Sequence, residues 1–251
     1  QYFHCLLQGH MPQSPVLLHL FHIRHGQRPH INGEAAAIRD HIQHRAALNN
    51  ITAVGRAKKS EISYRSGAKE HDLICLTGNL GASYMGLRLL ERERRVLEGI
   101  DNPQPQFEGY EYLLQRYLKP RARYDMVKSL HKEGIVPTSM IDITDGLASE
   151  VLQICKASKC GARIYLERMP LAQQTTRLAE EMNFDAVVAA LNGGEDYELL
   201  FTVPLEMREK IINLGCVDII GHITAESTGA YLVTPDGNDI VLKAQGFTPK
   251  Q

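Results

Sequence analysis

The sequence predicts an α/β protein in which a mixed sheet is covered by helices. Three observations support this prediction. From residue 51 onward, short apolar runs typical of strands alternate with longer segments whose apolar residues recur at helical spacing. Glycine or proline separates several of these segments. The last segment, residues 230–242, has the pattern of a hairpin that turns at Pro235, Asp236 and Gly237.

The predicted elements follow in a regular order. Residues 51–56 form a strand-like run, and residues 61–72 form a polar connector. Residues 73–78 form a compact apolar strand that ends at Gly78, and residues 79–99 have the apolar spacing of a helix. The remaining elements are predicted, in order, as helices near 109–118 and 122–133, a strand ending near Asp142, a helix to about 158, a strand at 162–167, a helix near 174–182, a strand at 197–203, a helix at 205–214 and a strand at 217–224.

Composition limits the possible functions. The chain has 251 residues, of which 43% are hydrophobic and 23% are charged, as is typical of globular proteins. A net charge of -1 predicts no nucleic-acid partner, because it provides no basic surface. No apolar run reaches the roughly 20 residues of a membrane span, so no membrane association is expected. Five cysteines without a CxxC pair favour a reducing compartment and predict a cytoplasmic location.

The first 50 residues differ from the rest of the chain. They contain eight of the eleven histidines and no lysine, which predicts a boundary near residue 50. Because His19, His22 and His25 recur at every third residue, one interpretation is a metal site. The favoured interpretations are a poorly ordered extension, a gene-model error or a segment read out of frame, because no carboxylate or cysteine is placed to complete a coordination sphere.

The segment SMIDITDGLASE, residues 139–150, places polar residues where a strand becomes a helix. Thr144 or Asp145 is a natural N-cap for that helix, because its side-chain oxygen would bond free amide groups of the first turn. That interpretation does not require two acids. Asp142, Thr144 and Asp145 together also offer hard oxygen ligands at the end of a strand, where magnesium could bind together with phosphate oxygens. Both interpretations stay open on this motif alone.

A second polar segment is LNGGEDYELLFTV, residues 191–203. Its paired glycines allow backbone to approach a ligand closely, and Glu195 and Asp196 could orient a substrate or a metal-bound water. The simpler interpretation is an acidic turn before a strand. Arg65 and Lys69 lie in a polar loop that suits a polyphosphate, although loop arginines are usually only solvated.

Taken in order, these segments resemble the thiamine-monophosphate kinase family, which is similar to aminoimidazole ribonucleotide synthetase and selenophosphate synthetase. The resemblance covers residues 51–251 and rests on RSGAK, DLICLTGNLGASYMGLRLLE, MIDITDGLASEV, GGEDYELLFTVP, IIGHIT and the terminal GF. It implies ATP-dependent phosphorylation of thiamine monophosphate to thiamine diphosphate, assisted by Mg²⁺, in thiamine diphosphate biosynthesis. It also implies a homodimer of two-domain α/β subunits.

The resemblance implies ligand-binding roles for six residues and assigns no catalytic acid or base. These are the magnesium ligands Asp142 and Asp145, the nucleotide contacts Arg65 and Thr144, and the thiamine monophosphate contacts Glu195 and Phe247.

The chain departs from the family in one respect. The acidic motifs of the family's first domain, of the GDDA, TTD and GGDT types, do not occur in it. The resemblance therefore predicts an atypical segment at 1–50, the last strand of an incomplete N-terminal domain with its connector at 51–70, and a C-terminal α/β domain at 71–251. It also predicts impaired turnover, since phosphoryl transfer depends on metal ions that neutralise charge.

The same departure leaves the homodimer in question, because the family's dimer contact uses strands of the first domain. The alternatives are a non-catalytic relic or binding module, and another ATP-using synthetase of the same superfamily.

Overall fold

The computed structural model describes residues 57–100 and 104–245. Contacts divide the chain into two units, residues 1–62 and 63–251. The described part of the first unit contains a 3-10 turn at Lys59–Glu61. The predicted strand at 51–56, the histidine-rich segment and Phe247 lie outside the described residues, and the three-part division of the chain stays a prediction. In the described ranges, no helix is long and apolar enough to cross a membrane.

The second unit is built on a seven-stranded sheet of order β2-β4-β1-β5-β3-β6-β7. Neighbouring strands are antiparallel except for the parallel pair β3 and β6, so the predicted mixed sheet is confirmed. All five residues of the central strand β1 are buried, which agrees with its continuous apolar sequence. The strands are β1 Leu73–Thr77, β2 Ser139–Asp142, β3 Gly161–Tyr165, β4 Leu199–Val203, β5 Val217–Thr224, β6 Ala230–Val233 and β7 Asp239–Val241.

The α-helices of the described residues agree with the predicted ones, with one addition. The helix α6 was not predicted, because its seven residues AVVAALN are too short and too uniformly apolar to show a helical period. Its start is fixed by Asp185, whose side chain accepts a hydrogen bond from the Val187 N–H. The helices are α1 Ala82–Val96, α2 Glu111–Leu118, α3 Tyr124–Lys132, α4 Leu147–Ser158, α5 Gln173–Glu181, α6 Ala186–Asn192 and α7 Arg208–Leu214.

Two apolar clusters hold these elements together. In the larger one, Ile74 and Leu76 of β1 pack with residues of α4 and α6, including Ile154. In the smaller one, Leu89 of α1 packs with Leu113 of α2 and with residues of α5. Each fully buried leucine or isoleucine contributes about 1.5–3 kcal/mol relative to an exposed one. The clusters therefore attach helices to both the sheet and one another.

The start of α4 corrects the predicted N-cap. The helix is preceded by Gly146, with φ 109°, and neither Thr144 nor Asp145 caps it with its side chain. Instead, the Glu150 carboxylate accepts hydrogen bonds from the Thr144 N–H at 3.4 Å, the Thr144 hydroxyl at 3.2 Å and the Asp145 N–H at 3.1 Å. The cap prediction was wrong because Thr144 and Asp145 donate hydrogen bonds to Glu150 of the helix, and neither side chain accepts one from the amide groups of its first turn. The Asp145 carboxylate stays exposed.

The start of α1 depends on a residue that is distant in the sequence. Asp196 accepts hydrogen bonds from the N–H groups of Gly81 at 2.7 Å and Ser83 at 3.2 Å. These donors are in the first turn of α1, where a negative charge is favourable. Burial nevertheless raises the pKa of Asp196 to about 6, because it outweighs the lowering by Gly81, Arg116 and Ser83. The buried carboxyl group is thus both a helix cap and a titrating site.

This raised pKa predicts a pH-dependent stability. Between the usual Asp196 pKa of 3.8 and about 6, the folded protein binds more protons than the unfolded chain. The contribution of Asp196 to the free energy of unfolding therefore falls as the pH rises through that window, and it is constant above it. We expect the difference in unfolding free energy between the wild type and Asp196→Asn to fall by roughly 2–3 kcal/mol from pH 4 to pH 7.

Urea unfolding followed by circular dichroism at several pH values measures this difference. Asp185→Asn, which removes the charge of an exposed capping carboxylate but keeps a capping oxygen, is the control for loss of charge at a helix cap. A wild-type to Asp196→Asn difference that stays constant over this pH range would contradict the prediction.

Candidate functional site

Two polar loops lie side by side at one end of the sheet. Residues 143–146 connect β2 to α4, and residues 193–198 connect α6 to β4. Because β2 and β4 are antiparallel neighbours, the end of β2 meets the beginning of β4, with Asp142 opposite Leu199. We call residues 142–146 and 193–198 the acidic loop pair.

Backbone hydrogen bonds continue the pairing of β2 with β4 beyond both strands. The Ile143 N–H donates to the Glu198 carbonyl at 2.8 Å, and the Tyr197 N–H donates to the Ile143 carbonyl at 2.9 Å. The Glu195 N–H then donates to the Thr144 carbonyl at 2.8 Å. The predicted site residues in these two motifs are thereby brought together.

This close approach constrains the backbone. Gly194 has φ 71°, and a Cβ atom there would lie 2.3 Å from the Thr144 carbonyl oxygen. Glu195 and Tyr197 also adopt positive φ values, of 60° and 53°. Such conformations are uncommon for residues other than glycine and occur often at functional sites.

The polar side chains of the acidic loop pair share one electrostatic environment. The Tyr197 hydroxyl donates a hydrogen bond to the Glu195 carboxylate at 2.8 Å. The pKa of Tyr197 is raised mainly by burial, then by its interactions with Glu195, and also by the charges of Asp142 and Asp145. Acidic side chains of both motifs therefore act electrostatically on the Tyr197 hydroxyl group.

The carboxylates of the acidic loop pair suit a cation that is also coordinated by oxygen atoms of a bound phosphate and of water. Asp145 and Glu195 are exposed, and Asp142 is half-buried. Within the described part of the chain, no three histidine, cysteine or acidic side chains are grouped closely enough to hold a metal ion. One or two carboxylates that complete their coordination with phosphate oxygens and water are the usual arrangement for Mg²⁺. Asp142 and Asp145 fit that arrangement.

Arg65 lies beside the edge strand β2. The Met140 N–H donates to the Tyr64 carbonyl at 2.9 Å, and the Ser63 hydroxyl donates to the Pro137 carbonyl at 3.1 Å. These bonds attach the Arg65 loop to the strand that ends at Asp142. Arg65 is half-buried there. The structure thus brings five of the six predicted residues to β2 and its neighbouring loops, while Phe247 lies outside the described residues.

A buried ionic network, which was not predicted from the sequence, is centred on Glu198 of the acidic loop pair. The Glu198 carboxylate accepts hydrogen bonds from the Thr77 hydroxyl at 2.6 Å and from Arg123, and it forms an ion pair with Arg116 at 2.8 Å. Arg116 also donates to the Asp196 carbonyl at 2.8 Å. Removal of one partner of such a buried pair typically costs roughly 3–5 kcal/mol.

Only part of this network had a sequence signal. Glu198 is in the GGEDYE motif, so its acid could have been considered with Glu195. The partners Thr77, Arg116 and Arg123 are in β1, in α2 and just before α3. Nothing in their local sequence indicates a shared carboxylate.

Comparison with known proteins identifies the domain. Residues 69–235 match the family described as AIR synthase related protein, C-terminal domain. Over 205 residues the chain is 37% identical to thiamine-monophosphate kinase of Escherichia coli strain K12, an alignment that covers 80% of this chain and 57% of that protein. It is 28% identical to thiamine-monophosphate kinase of Bacillus subtilis, covering 78% of this chain and 58% of that protein. The chain thus spans little more than half the length of these relatives.

Solved structures agree with this result. AaThiL complexed with AMPPCP and TMP has 30% sequence identity and a TM-score of 0.60, and the match covers 74% of this chain and 54% of that one. Thiamine-monophosphate kinase from Stenotrophomonas maltophilia has 25% identity and a TM-score of 0.59, covering 74% of this chain and 56% of that one. The hydrogenase maturation protein HypE of E. coli, at 18% identity and a TM-score of 0.56, shares the fold.

The predicted family resemblance is confirmed by these matches. The family model covers most of the described sheet and the whole acidic loop pair. The chain therefore belongs to the AIR synthase related family, whose C-terminal domain it contains.

Proposed function

We propose that this protein takes part in ATP-dependent phosphorylation of thiamine monophosphate to thiamine diphosphate. The observation that carries the proposal is the backbone pairing that gathers Asp142, Thr144, Asp145 and Glu195 at one edge of the sheet. The curated relatives with the same domain are thiamine-monophosphate kinases, and AaThiL is complexed with AMPPCP and TMP.

The nucleotide would lie against the β2 side of the acidic loop pair. Asp142 and Asp145 would hold Mg²⁺, which supplies charge neutralisation to the phosphates when bound. The Glu150 carboxylate orients the backbone N–H groups of Thr144 and Asp145, so the loop is held before a ligand binds. The guanidinium of Arg65 would bind a phosphate group, for which its planar fork of donors is suited.

Thiamine monophosphate would lie against the GGEDYE side. The hydrogen bond from Tyr197 fixes one oxygen of Glu195 and leaves this exposed side chain oriented for contact with the substrate. Phe247 is proposed to pack on the thiamine ring system.

Three further parts of the proposal rest on the sequence. Turnover by the chain is expected to be slow, because the acidic motif types of the family's first domain do not occur in it. A homodimer is expected from the family resemblance. Because the family's dimer contact uses strands of the first domain, whose acidic motifs do not occur in this sequence, that dimer contact is in question here. The cytoplasmic location is a prediction from the cysteine pattern.

A combined assay of binding and turnover tests the proposed function. The purified chain is titrated by calorimetry with AMPPCP and with thiamine monophosphate, both with Mg²⁺. It is then incubated with ATP, and thiamine diphosphate is measured by chromatography. We expect both ligands to bind and product to form more slowly than about 1 per second, a rate ordinary for a kinase. Absence of binding by both ligands would contradict the proposal, whereas binding without any product would favour the binding-module alternative.

The proposed magnesium contact gives a separate prediction. Asp145→Asn removes an exposed negative charge with little change in volume and leaves the backbone bond to Glu150 available. We expect Mg²⁺ to strengthen AMPPCP binding to the wild type and to have at least about tenfold less effect on the variant, a loss of about 1.4 kcal/mol.

Calorimetry with and without Mg²⁺ measures this effect. Glu98→Gln, which removes an exposed acid elsewhere in the described chain, is the matched control. An unchanged magnesium effect in Asp145→Asn would reject Asp145 as a ligand.

A further inference from the structure

A cavity of about 680 Å³ opens beside the central part of the sheet, and it shares no residue with the acidic loop pair. Its wall is formed mainly by β5, the end of β3 and residues at the start of α7. Small-molecule sites usually have volumes of about 300–1,000 Å³. The cavity is therefore large enough for a ligand of modest size.

Positive charge predominates on the wall of the cavity. Arg168 and Arg208 line it, and Asp218 is the single carboxylate among the described lining residues. Neither guanidinium forms an ion pair within residues 57–100 and 104–245. Arginines that face a cavity without an acidic partner are available to an anion from solution.

Three of the lining side chains are arranged against one another. The Arg168 guanidinium carbon lies 5.0 Å from the centroid of the Tyr165 ring, a cation–π arrangement. The Tyr165 and His222 rings are 5.9 Å apart with an interplanar angle of 31°, and the Tyr165 hydroxyl lies 3.2 Å from His222 Nδ1. These contacts hold the polar groups of the wall in place without a ligand.

A second histidine at the cavity is held by the backbone. His71 has φ 72°, which is uncommon for a residue other than glycine. Its N–H donates to the Ile223 carbonyl at 2.9 Å, and the Ile223 N–H donates to the Asp72 carbonyl at 2.8 Å. The pKa of His222 is lowered first by burial and then by the charges of Arg163 and His71, which agrees with electropositive surroundings.

Apolar side chains complete the lining. Leu73, Val217 and Ile219 contribute from the sheet, while Leu205 and Ile212 contribute from the side of α7. Leu205 and Ile212 are 54% and 48% exposed. A ligand that covers them would be stabilised by the removal of this apolar surface from water.

We propose that this cavity binds a small organic anion that combines an apolar or planar body with one phosphate or carboxylate group. Arg168 and Arg208 bind the anionic group, and Tyr165 with the two histidines orients it. The apolar side chains of the sheet and of the α7 side contact the body of the ligand. This site is independent of the proposed kinase function.

Phenyl phosphate, benzoate and phenol test the proposal, because they share a ring and differ in the group attached to it. Binding to the full chain is measured by calorimetry, and the imidazole signals of His222 are followed by nuclear magnetic resonance, with His222→Asn used for assignment. We expect at least one of the two anions to bind and to shift the His222 signals, whereas phenol does not bind measurably. The tighter of the two anions identifies the preferred anionic group.

Charge removal locates the binding. The double variant Arg168→Gln/Arg208→Gln is expected to weaken anion binding at least about tenfold. The matched control Arg94→Gln/Arg121→Gln removes two exposed arginines outside the cavity and is expected to change nothing. Circular dichroism confirms that each variant is folded.

Equal affinity of the wild type and the cavity variant would overturn the proposal. So would binding of phenol as tight as that of the anions, or the lack of saturable anion binding at millimolar concentrations. An anion that binds elsewhere, such as at the acidic loop pair, would leave the His222 signals unchanged and would also overturn it.

Discussion

The backbone pairing between residues 143–144 and 195–198 is the interaction on which the candidate site depends. It extends the β2 and β4 ladder past the ends of both strands, through bonds of 2.8–2.9 Å. The ladder is possible because Gly194 has no Cβ atom where the Thr144 carbonyl lies. Without this close approach, two acidic motifs separated by some 50 residues would have no reason to share one surface.

Four consecutive residues of the GGEDYE motif have different physical roles. Glu195 is exposed, and Tyr197 holds its carboxylate through a hydrogen bond. Asp196 is buried and caps α1, and Glu198 is buried against Arg116 and Arg123. Buried charges are retained only where they are paired or hydrogen-bonded, and all of these are. The exposed Glu195 therefore lies in a segment that is fixed on both sides. Asp196 attaches this segment to α1, and Glu198 attaches it to β1 and α2.

Much of the fold could be predicted from the sequence because its signals are local. The apolar run of β1, the helical spacing of α1 and the Pro-Asp-Gly turn between β6 and β7 all depend on neighbouring residues. The acids of the candidate site were also visible, since they occur in polar motifs at the ends of apolar strands. These are the features that periodicity and turn residues encode directly.

The contacts that were missed join residues far apart in the chain. Thr77 and Glu198 are 121 positions apart, and Arg123 and Glu198 are 75 positions apart, so no local pattern links them. The N-cap prediction for α4 failed because a cap preference is local, whereas Glu150 competes for the same loop from inside the helix. The anion-binding cavity had no sequence signal, because its residues come from separate elements whose adjacency only the sheet order establishes.

The most direct test of the pairing of the two loops compares alanine at two glycines with similar backbone conformations. Gly194, with φ 71°, lies against the Thr144 carbonyl, whereas Gly237, with φ 83°, has no atom within 4 Å of the position of an added Cβ. The measurement is calorimetric affinity for AMPPCP with Mg²⁺ and for thiamine monophosphate, with circular dichroism as the control for folding. Gly194→Ala is predicted to keep its secondary structure and to lose at least about tenfold in affinity, while Gly237→Ala keeps the wild-type affinity. Unchanged affinity in Gly194→Ala, or an equal loss in both variants, would contradict the central role of the paired loops.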